Sequence, residues 1–203
     1  MLHGIPPPAP PATAFMDESF LEAAGSGFYV LAAAVFEPGA EQHARAEMLR
    51  LRGTRAISKL HWNEMDTGQR HAAARTVAAL DSMSVVAVGT PVPAKRQERA
   101  RAKCLERMVT ELHGWGVELL LIEARTAQLD DRDLRTVIGA RYNLPKGACF
   151  QAEHRAGAAE PLFWAADIVA GAVRAERMGK PGFKAALADR LYELAVDTGC
   201  GHA

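Results

Sequence analysis

The chain has 203 residues, of which 49% are hydrophobic, and its 24 Lys and Arg residues are balanced by 24 Asp and Glu residues. This composition excludes a disordered or collagen-like protein and is typical of one compact globular domain. Because the formal net charge is zero, the charge of the whole chain gives no indication of a nucleic-acid partner.

Cysteine spacing and the lengths of the apolar runs exclude further classes. Cys104, Cys149 and Cys200 lie far apart without a Cys-x-x-Cys spacing, so neither a disulfide framework nor a zinc site is predicted. No apolar run approaches the roughly 20 residues that cross a bilayer, and we expect a cytoplasmic protein without a membrane partner. Residues 1–13 are rich in proline and are predicted to form a disordered tail.

The first part of the chain predicts a β-hairpin. Apolar segments at residues 14–17 and 28–36 flank Gly25-Ser26-Gly27, which is a strong turn signal. Helical spacing of apolar residues then predicts two helices, at residues 41–52 and 68–80. Thr67 is the predicted N-cap of the second helix.

The remainder of the chain alternates between strands and helices. Strands are predicted at residues 85–88, 117–123 and 148–152, and helices at residues 95–112, 130–142, 161–178 and 183–196. The strand at 117–123 is almost continuously apolar, which is typical of a strand buried on both faces. This order favours one α/β domain over residues 14–199, with an antiparallel start and a parallel finish.

Acids within apolar surroundings are the most informative chemical feature, because a buried carboxylate needs a partner or a metal. Asp167 is the sharpest case, since the predicted helix around it is otherwise apolar over residues 162–173. A hydrogen bond to a backbone amide or a hydroxyl would also satisfy it. Asp17 and Glu123 each close a predicted strand, and Glu64 ends a short amphipathic stretch. Each of these three could instead be a turn, cap or solvated surface residue.

Taken together, the four acids predict a metal site. Strands one and four of a mixed sheet, with a helix packed across them, can bring their carboxylates to one sheet edge. Clustered carboxylates repel each other and take up protons unless cations offset their charge. Oxygen ligands without cysteine favour Mg²⁺ or Mn²⁺, and two such ions about 4 Å apart can activate water for phosphodiester cleavage.

Three segments resemble a known bacterial family. They are Phe15-Met16-Asp17-Glu18-Ser19, Leu60-His61-Trp62-Asn63-Glu64, and the stretch from Glu160 to Ala172 that surrounds Asp167. In order and spacing they are similar to the family called domain of unknown function 3800, over about residues 14–178. The resemblance implies a ribonuclease H-like fold, in which helices flank a five-stranded mixed sheet.

The same resemblance implies a role for each acid as a catalytic and metal-binding residue. Asp17 would bridge two metal ions from the first strand, and Glu64 would reach them from beside a helix. Glu123 would be the ligand from the fourth strand and Asp167 the ligand from the late helix. At position 123 the family usually has Asp, and this chain has the longer Glu.

Three neighbouring residues are candidates for supporting contacts in this site: Glu18, Ser19 and His61. His61 could orient a scissile phosphate, or it could simply pack together with Trp62. Phe163 and Trp164, which stand where the family often has Leu-Gln, offer apolar surface for a homodimer together with the predicted final helix. Packing in the core accounts for that apolar surface equally well.

One predicted helix, at residues 95–112, has a basic face that could bind nucleic acid. Its candidate residues are Lys95, Arg96, Arg99, Arg101 and Lys103. A solvated helix surface would have the same composition.

Two functions remain open from the sequence. The first is a Mg²⁺- or Mn²⁺-dependent nuclease or phosphodiesterase. The second is a ribonuclease H-like module without turnover that binds nucleic acid or a protein partner.

Overall fold

The computed structural model describes residues 11–23 and 27–201. Within these residues the strands are β1 (Ala12–Leu21), β2 (Phe28–Phe36), β3 (Ser82–Thr90), β4 (Val117–Glu123), β5 (Gln151–Arg155) and β6 (Leu191–Asp197). The helices are α1 (Ala40–Arg52), α2 (Thr67–Ala78), α3 (Gln97–Gly114), α4 (Ala127–Arg141), α5 (Leu162–Arg177) and α6 (Gly182–Ala185). Short 3-10 turns lie at Trp62–Glu64 and Ala188–Arg190.

All six strands form one mixed sheet, in the order β5-β4-β1-β2-β3-β6. β2 is antiparallel to both β1 and β3, whereas β4 and β5 continue the sheet parallel to β1. The predicted hairpin is confirmed by pairing that runs from Thr13 and Phe36 to Leu21 and Phe28. Residues 24–26, which include most of its predicted turn, lie outside the described residues.

Helices cover both faces of the sheet, which confirms the α/β class. α1, α2 and α5 pack on the face that contains Phe15, and α3 and α4 pack on the face that contains Met16. Successive strand residues point to opposite faces, so one central strand supplies both cores. Central β2 is buried along its whole length, and its Ala32 and Ala34 lie in the same core as α5. These small side chains let α5 lie close to the sheet.

The sheet has six strands where the sequence predicted five, because the predicted final helix at 183–196 is wrong. Only α6 and a 3-10 turn are helical there, and β6 follows them. Tyr192, Leu194 and Val196 alternate along β6, and Leu194 and Val196 pack into the core on the α3 side. β6 pairs parallel with β3 and thereby satisfies the backbone groups along that edge of the sheet.

Several boundaries also differ from the sequence prediction; β5, for example, was predicted at 148–152 and lies at Gln151–Arg155. β1 begins at Ala12, which is buried, so the last two residues of the predicted 1–13 tail belong to the sheet; residues 1–10 lie outside the described residues. α2 is capped by Asp66 rather than Thr67. The Asp66 side chain accepts a hydrogen bond from the Gln69 amide at 2.8 Å, and the Gln69 side chain accepts one from the Asp66 amide.

Burial corrects two predicted surfaces. Arg101, which was assigned to the basic face, is 1% exposed and points into the core between α3 and the sheet. Phe163 and Trp164 are buried on the α5 side, so they contribute to the core and offer no surface for a homodimer. Along the part of the chain that the structure describes, no helix has the length and hydrophobicity that a membrane crossing requires.

Candidate functional site

Two of the four predicted acids meet where β4 ends beside the middle of β1. These strands are parallel, and Met16 pairs with Ile122. The next residues, Asp17 and Glu123, therefore stand side by side. Phe15 and Leu121, two positions earlier in each strand, lie in the core on the α5 side, so both carboxylates also face that side. The sequence prediction that strands one and four bring acids together holds for Asp17 and Glu123, but Asp17 does not close its strand, because β1 continues to Leu21 against β2.

Asp167 reaches the same region from α5. Its Oδ2 accepts a hydrogen bond of 2.8 Å from the backbone N–H of Trp62 in the 3-10 turn. The Trp62 ring lies against Gly171, one helical turn after Asp167, so closely that a Cβ on Gly171 would come within 2.2 Å of the indole Cγ. Asp167 and Gly171 together therefore fix the 3-10 turn to α5.

A buried lysine that the sequence analysis did not identify completes the group. Lys59 lies between α1 and the 3-10 turn, and its ammonium donates hydrogen bonds to both carboxylate oxygens of Glu123. The same Nζ is 3.5 Å from Asp17 Oδ2. The Lys59 and Asp17 side chains are only 9% and 12% exposed. We call Asp17, Lys59, Glu123 and Asp167 the carboxylate–lysine cluster.

The cluster contains more negative than positive charge, and the pKa values of its members reflect this. Burial raises the pKa of Asp17 well above its usual value, and the neighbouring Glu18 raises it further, although Lys59 lowers it. Burial also raises the pKa of Asp167, in spite of the Trp62 hydrogen bond. For Lys59, burial alone would lower the pKa, but the carboxylates of Asp17 and Glu123 outweigh it and the net shift is upward.

The loop after β5 holds Glu123 in place. A Cβ on Gly157 would lie 2.3 Å from Glu123 Oε1, so only glycine lets the backbone pass this close to the carboxylate. The Gly157 carbonyl accepts a hydrogen bond of 3.0 Å from the indole of Trp164. Further along the loop, Glu160 forms a two-pronged ion pair with Arg45 of α1, with both N···O distances at 3.0 Å. The loop is thus tied to both α5 and α1.

Glu18 points to the opposite face of the sheet and belongs to a second ionic group. Arg101 forms ion pairs of 2.7 Å with Glu18 and with Asp133 of α4. Arg125 and His154 also contact the Asp133 carboxylate, at 3.2 and 3.4 Å. Although burial opposes it, the hydrogen bonds from His154 and Arg101 hold the pKa of Asp133 far below its usual value. Arg125 also pairs with Glu98 at 2.6 Å, and His154 lies 3.7 Å from Asp130, so four acids share two arginines and a histidine here. The group meets the cluster through the backbone of β1, where the Glu18 N–H donates a hydrogen bond of 2.8 Å to Asp17 Oδ1.

The other predicted site residues lie at the margin of the cluster. Glu64 is exposed at the end of the 3-10 turn, and its side chain makes no hydrogen bond or ion pair with any described residue. His61 is exposed beside the turn, and its charge when protonated lowers the pKa of Asp167. Ser19 is half-buried and follows Asp17 on the same face of β1.

The carboxylate oxygens of the cluster are ligands that fit a hard divalent cation. In the structure, however, those of Asp17 and Glu123 are placed around the ammonium of Lys59. Among residues 11–23 and 27–201, no three His, Cys, Asp or Glu side chains stand in an arrangement that could hold a metal ion. All three carboxylates nevertheless offer the oxygen ligands that Mg²⁺ and Mn²⁺ prefer. When ionised, three carboxylates and one ammonium carry a formal charge of −2, which one divalent cation would neutralise.

Comparison of the chain with protein-family models, with curated proteins and with solved structures found no match.

Proposed function

We propose that this chain is a Mg²⁺- or Mn²⁺-dependent nuclease or phosphodiesterase of ribonuclease H-like fold, related to the domain of unknown function 3800 family. One observation carries the proposal: Asp17 and Glu123 stand side by side on parallel strands with Lys59 between them, and Asp167 of α5 lies close enough for Lys59 and Glu123 to shift its pKa. β1 to β5, a continuous mixed sheet with helices on both faces, have the form that this fold implies.

In this proposal Asp17, Glu123 and Asp167 hold the cation. When bound, Mg²⁺ or Mn²⁺ supplies the Lewis acidity that activates water and stabilises the leaving oxygen in phosphodiester cleavage. The raised pKa values of Asp17 and Asp167 mean that, without a cation, these two carboxyl groups keep a proton to higher pH than an ordinary aspartate does. Lys59, once freed from the carboxylates, offers its ammonium to a non-bridging phosphate oxygen.

Cleavage assays with matched variants test the proposal. Purified protein is incubated with labelled single- and double-stranded DNA and RNA, in Mn²⁺ or in EDTA. We expect cleavage only in Mn²⁺, and its loss in Asp17→Asn and in Asp167→Asn. Glu118→Gln is the control, because Glu118 is an exposed acid at the opposite end of β4. Cleavage that persists in both Asn variants, or in EDTA, would contradict the proposal.

Lys59 favours a second candidate function, the binding module without turnover. Its ammonium contacts Asp17 and Glu123 as a permanent structural partner would. Calorimetric titration with Mn²⁺ separates the two functions. The nuclease requires Mn²⁺ binding that is lost in Asp17→Asn and Asp167→Asn, whereas the binding module predicts no heat that depends on either residue.

A further inference from the structure

The cluster has a neighbouring cleft on the same side of the sheet. It lies between the first turns of α2 and the segment that joins α5 to α6, and its volume is about 360 Å³. This volume is within the range of about 300–1,000 Å³ that is usual for ligand sites. The side chains that line it include Thr67, Arg70, His71, Lys180 and Phe183. We call this feature the Arg70 cleft. The described residues that line it include no acid.

Arg70 is fixed in position by contacts with the 3-10 turn. Its Nε donates a hydrogen bond of 3.1 Å to the carbonyl oxygen of Trp62, and its Nη2 lies 3.4 Å from the carbonyl oxygen of Asn63. Its guanidinium also lies over the Trp62 ring, 5.3 Å from the ring centroid. Within the part of the chain that the structure describes, the remaining nitrogen, Nη1, makes no hydrogen bond. The charge of Arg70 is therefore held rigidly with one donor nitrogen free.

The other lining groups are complementary to an anion. His71 packs against the ring of Phe183, with centroids 4.5 Å apart, which fixes its imidazole beside Arg70. Lys180 is exposed and follows α5, and Thr67 contributes a hydroxyl at the start of α2. Two full positive charges, an imidazole and a hydroxyl thus line a space in which no described residue contributes a carboxylate.

The cleft and the cluster are linked through the backbone of one residue. The Trp62 N–H binds Asp167, and the Trp62 carbonyl accepts from Arg70. Both sites lie on the α5 side of the sheet, whereas the basic helix α3 packs on the other side. A chain of phosphates that has one phosphate at the cluster can therefore place a neighbouring one in the Arg70 cleft without crossing the sheet.

We propose that the Arg70 cleft binds a backbone phosphate of a nucleic-acid strand, adjacent to the phosphate that lies at the carboxylate–lysine cluster. This inference rests on the proposed function, since it assigns a substrate-binding subsite to that same site. Arg70 and Lys180 neutralise the phosphate, and His71 and Thr67 donate hydrogen bonds to it. The cleft gives affinity and register along the strand without reading the base sequence.

Binding is tested in EDTA, so that neither a metal nor cleavage contributes. The anisotropy of a short fluorescein-labelled single-stranded oligonucleotide is followed for the wild type, for Lys180→Ala and for the double variant Lys180→Ala/Arg70→Gln. We expect Lys180→Ala to weaken binding by up to about fivefold at about 0.1 M salt, the effect of one exposed ion pair. The slope of log K against log salt should fall by about 0.7 for each lost phosphate contact.

Two control variants remove one positive charge elsewhere. Lys146 is exposed in the loop between α4 and β5, and Lys146→Ala should leave the salt slope unchanged. Arg96 is exposed at the start of α3 and represents the basic face predicted from the sequence. Two outcomes would overturn the proposal. In the first, Lys180→Ala binds the oligonucleotide as tightly as the wild type does, whereas Arg96→Ala has a reduced slope of log K against log salt. In the second, the wild-type protein does not bind the oligonucleotide. Circular dichroism of each variant establishes that it is folded.

Failure of this proposal differs from failure of the proposed function. If the protein cleaves in Mn²⁺ but Lys180→Ala retains the wild-type KM and salt slope, the subsite is wrong and the nuclease proposal stands. If binding depends on Lys180 but no cleavage occurs, the subsite stands and the nuclease proposal is wrong.

Discussion

Replacing Gly171 by alanine should separate the 3-10 turn from α5. The new Cβ would lie 2.2 Å from Cγ of the Trp62 ring, far inside van der Waals contact. Both neighbours are constrained, because Gly171 is in the middle of α5 and the Trp62 backbone is bound to Asp167. The indole must therefore move away, and the 2.8 Å hydrogen bond from the Trp62 amide to Asp167 lengthens with it.

The expected loss of stability follows from three contributions. Overpacking of a core contact costs about 1–3 kcal/mol. A weakened hydrogen bond to a charged group adds up to about 1.5–3 kcal/mol. Against these, alanine is about 0.8–1 kcal/mol more favourable than glycine inside a helix. We therefore expect Gly171→Ala to lower the free energy of unfolding by about 2–4 kcal/mol, and the midpoint of thermal unfolding by about 5–15 °C.

Gly139→Ala is the matched control for this measurement. Gly139 is also helical, on the exposed side of α4, and a Cβ there would meet no atom within 4 Å. This variant should gain up to about 1 kcal/mol from helix propensity alone. The two substitutions are chemically identical, so any difference between them reflects the surroundings of each glycine. Urea unfolding followed by circular dichroism should show a lower free energy of unfolding for Gly171→Ala and a higher one for Gly139→Ala. If Gly171→Ala is as stable as the wild type, the close packing of Trp62 on α5 is wrong.

Three further predictions concern the ionic groups. Lys59→Met leaves the carboxylates of Asp17 and Glu123 without their cation, and should lower the free energy of unfolding by about 3–5 kcal/mol at pH 7. The loss should be smaller at pH 5, where carboxyl groups take up protons. Equal losses in urea unfolding at both pH values would contradict this. Because the pKa of Asp17 is raised, the folded protein retains a proton at pH values at which the unfolded chain has released it. The contribution of Asp17 to the free energy of unfolding therefore falls as the pH rises from the ordinary pKa of an aspartate towards the raised one. In metal-free buffer, Asp17→Asn should therefore gain stability relative to the wild type as the pH rises above about 4, the ordinary pKa of an aspartate, and a constant difference would refute this. Arg101→Met should destabilise the fold by about 3–5 kcal/mol, because Glu18 and Asp133 lose a buried partner, yet leave the salt slope of oligonucleotide binding unchanged.

The sequence predicted the elements whose apolar pattern is long and regular. The hairpin, β4 and α5 follow from continuous apolar runs or from helical spacing. The segment at 183–196 was misassigned because its start, around Phe183, is helical, whereas Tyr192, Leu194 and Val196 alternate with period two. The last part of this segment forms β6 because it pairs with the free edge of β3. That partner lies about 100 residues earlier in the chain, so the pattern within the segment does not reveal it.

For the site, the sequence predicted three acids that gather, Asp17, Glu123 and Asp167, but it also included Glu64, which is exposed, and it did not predict the cation that neutralises them. Asp17, Glu123 and Asp167 stood out because apolar residues surround them. Lys59 did not, since a lysine in a polar loop is usually solvated. It lies directly before the segment Leu60-His61-Trp62-Asn63-Glu64, and that position next to a candidate site segment is the signal that indicates it.

Arg101 shows the converse case. Six positive charges over residues 95–107 favoured an exposed face, but helical geometry turns one of them inward. The acids that receive it, Glu18 and Asp133, lie 83 positions before it and 32 after it, so only the folded topology brings them together.

The parallel pairing of β6 with β3 bears on how the chain is synthesised. β3 ends at Thr90 and β6 begins at Leu191, so about 100 residues separate the two strands. At translation rates of about 5–20 residues per second, β3 waits about 5–20 s on the ribosome before its partner exists. During that time a strand with the apolar run Val85–Val88 has one unpaired edge. Nascent chains on neighbouring ribosomes could pair through that edge, so the yield of folded protein should depend on chaperones that cover β3 until β6 arrives.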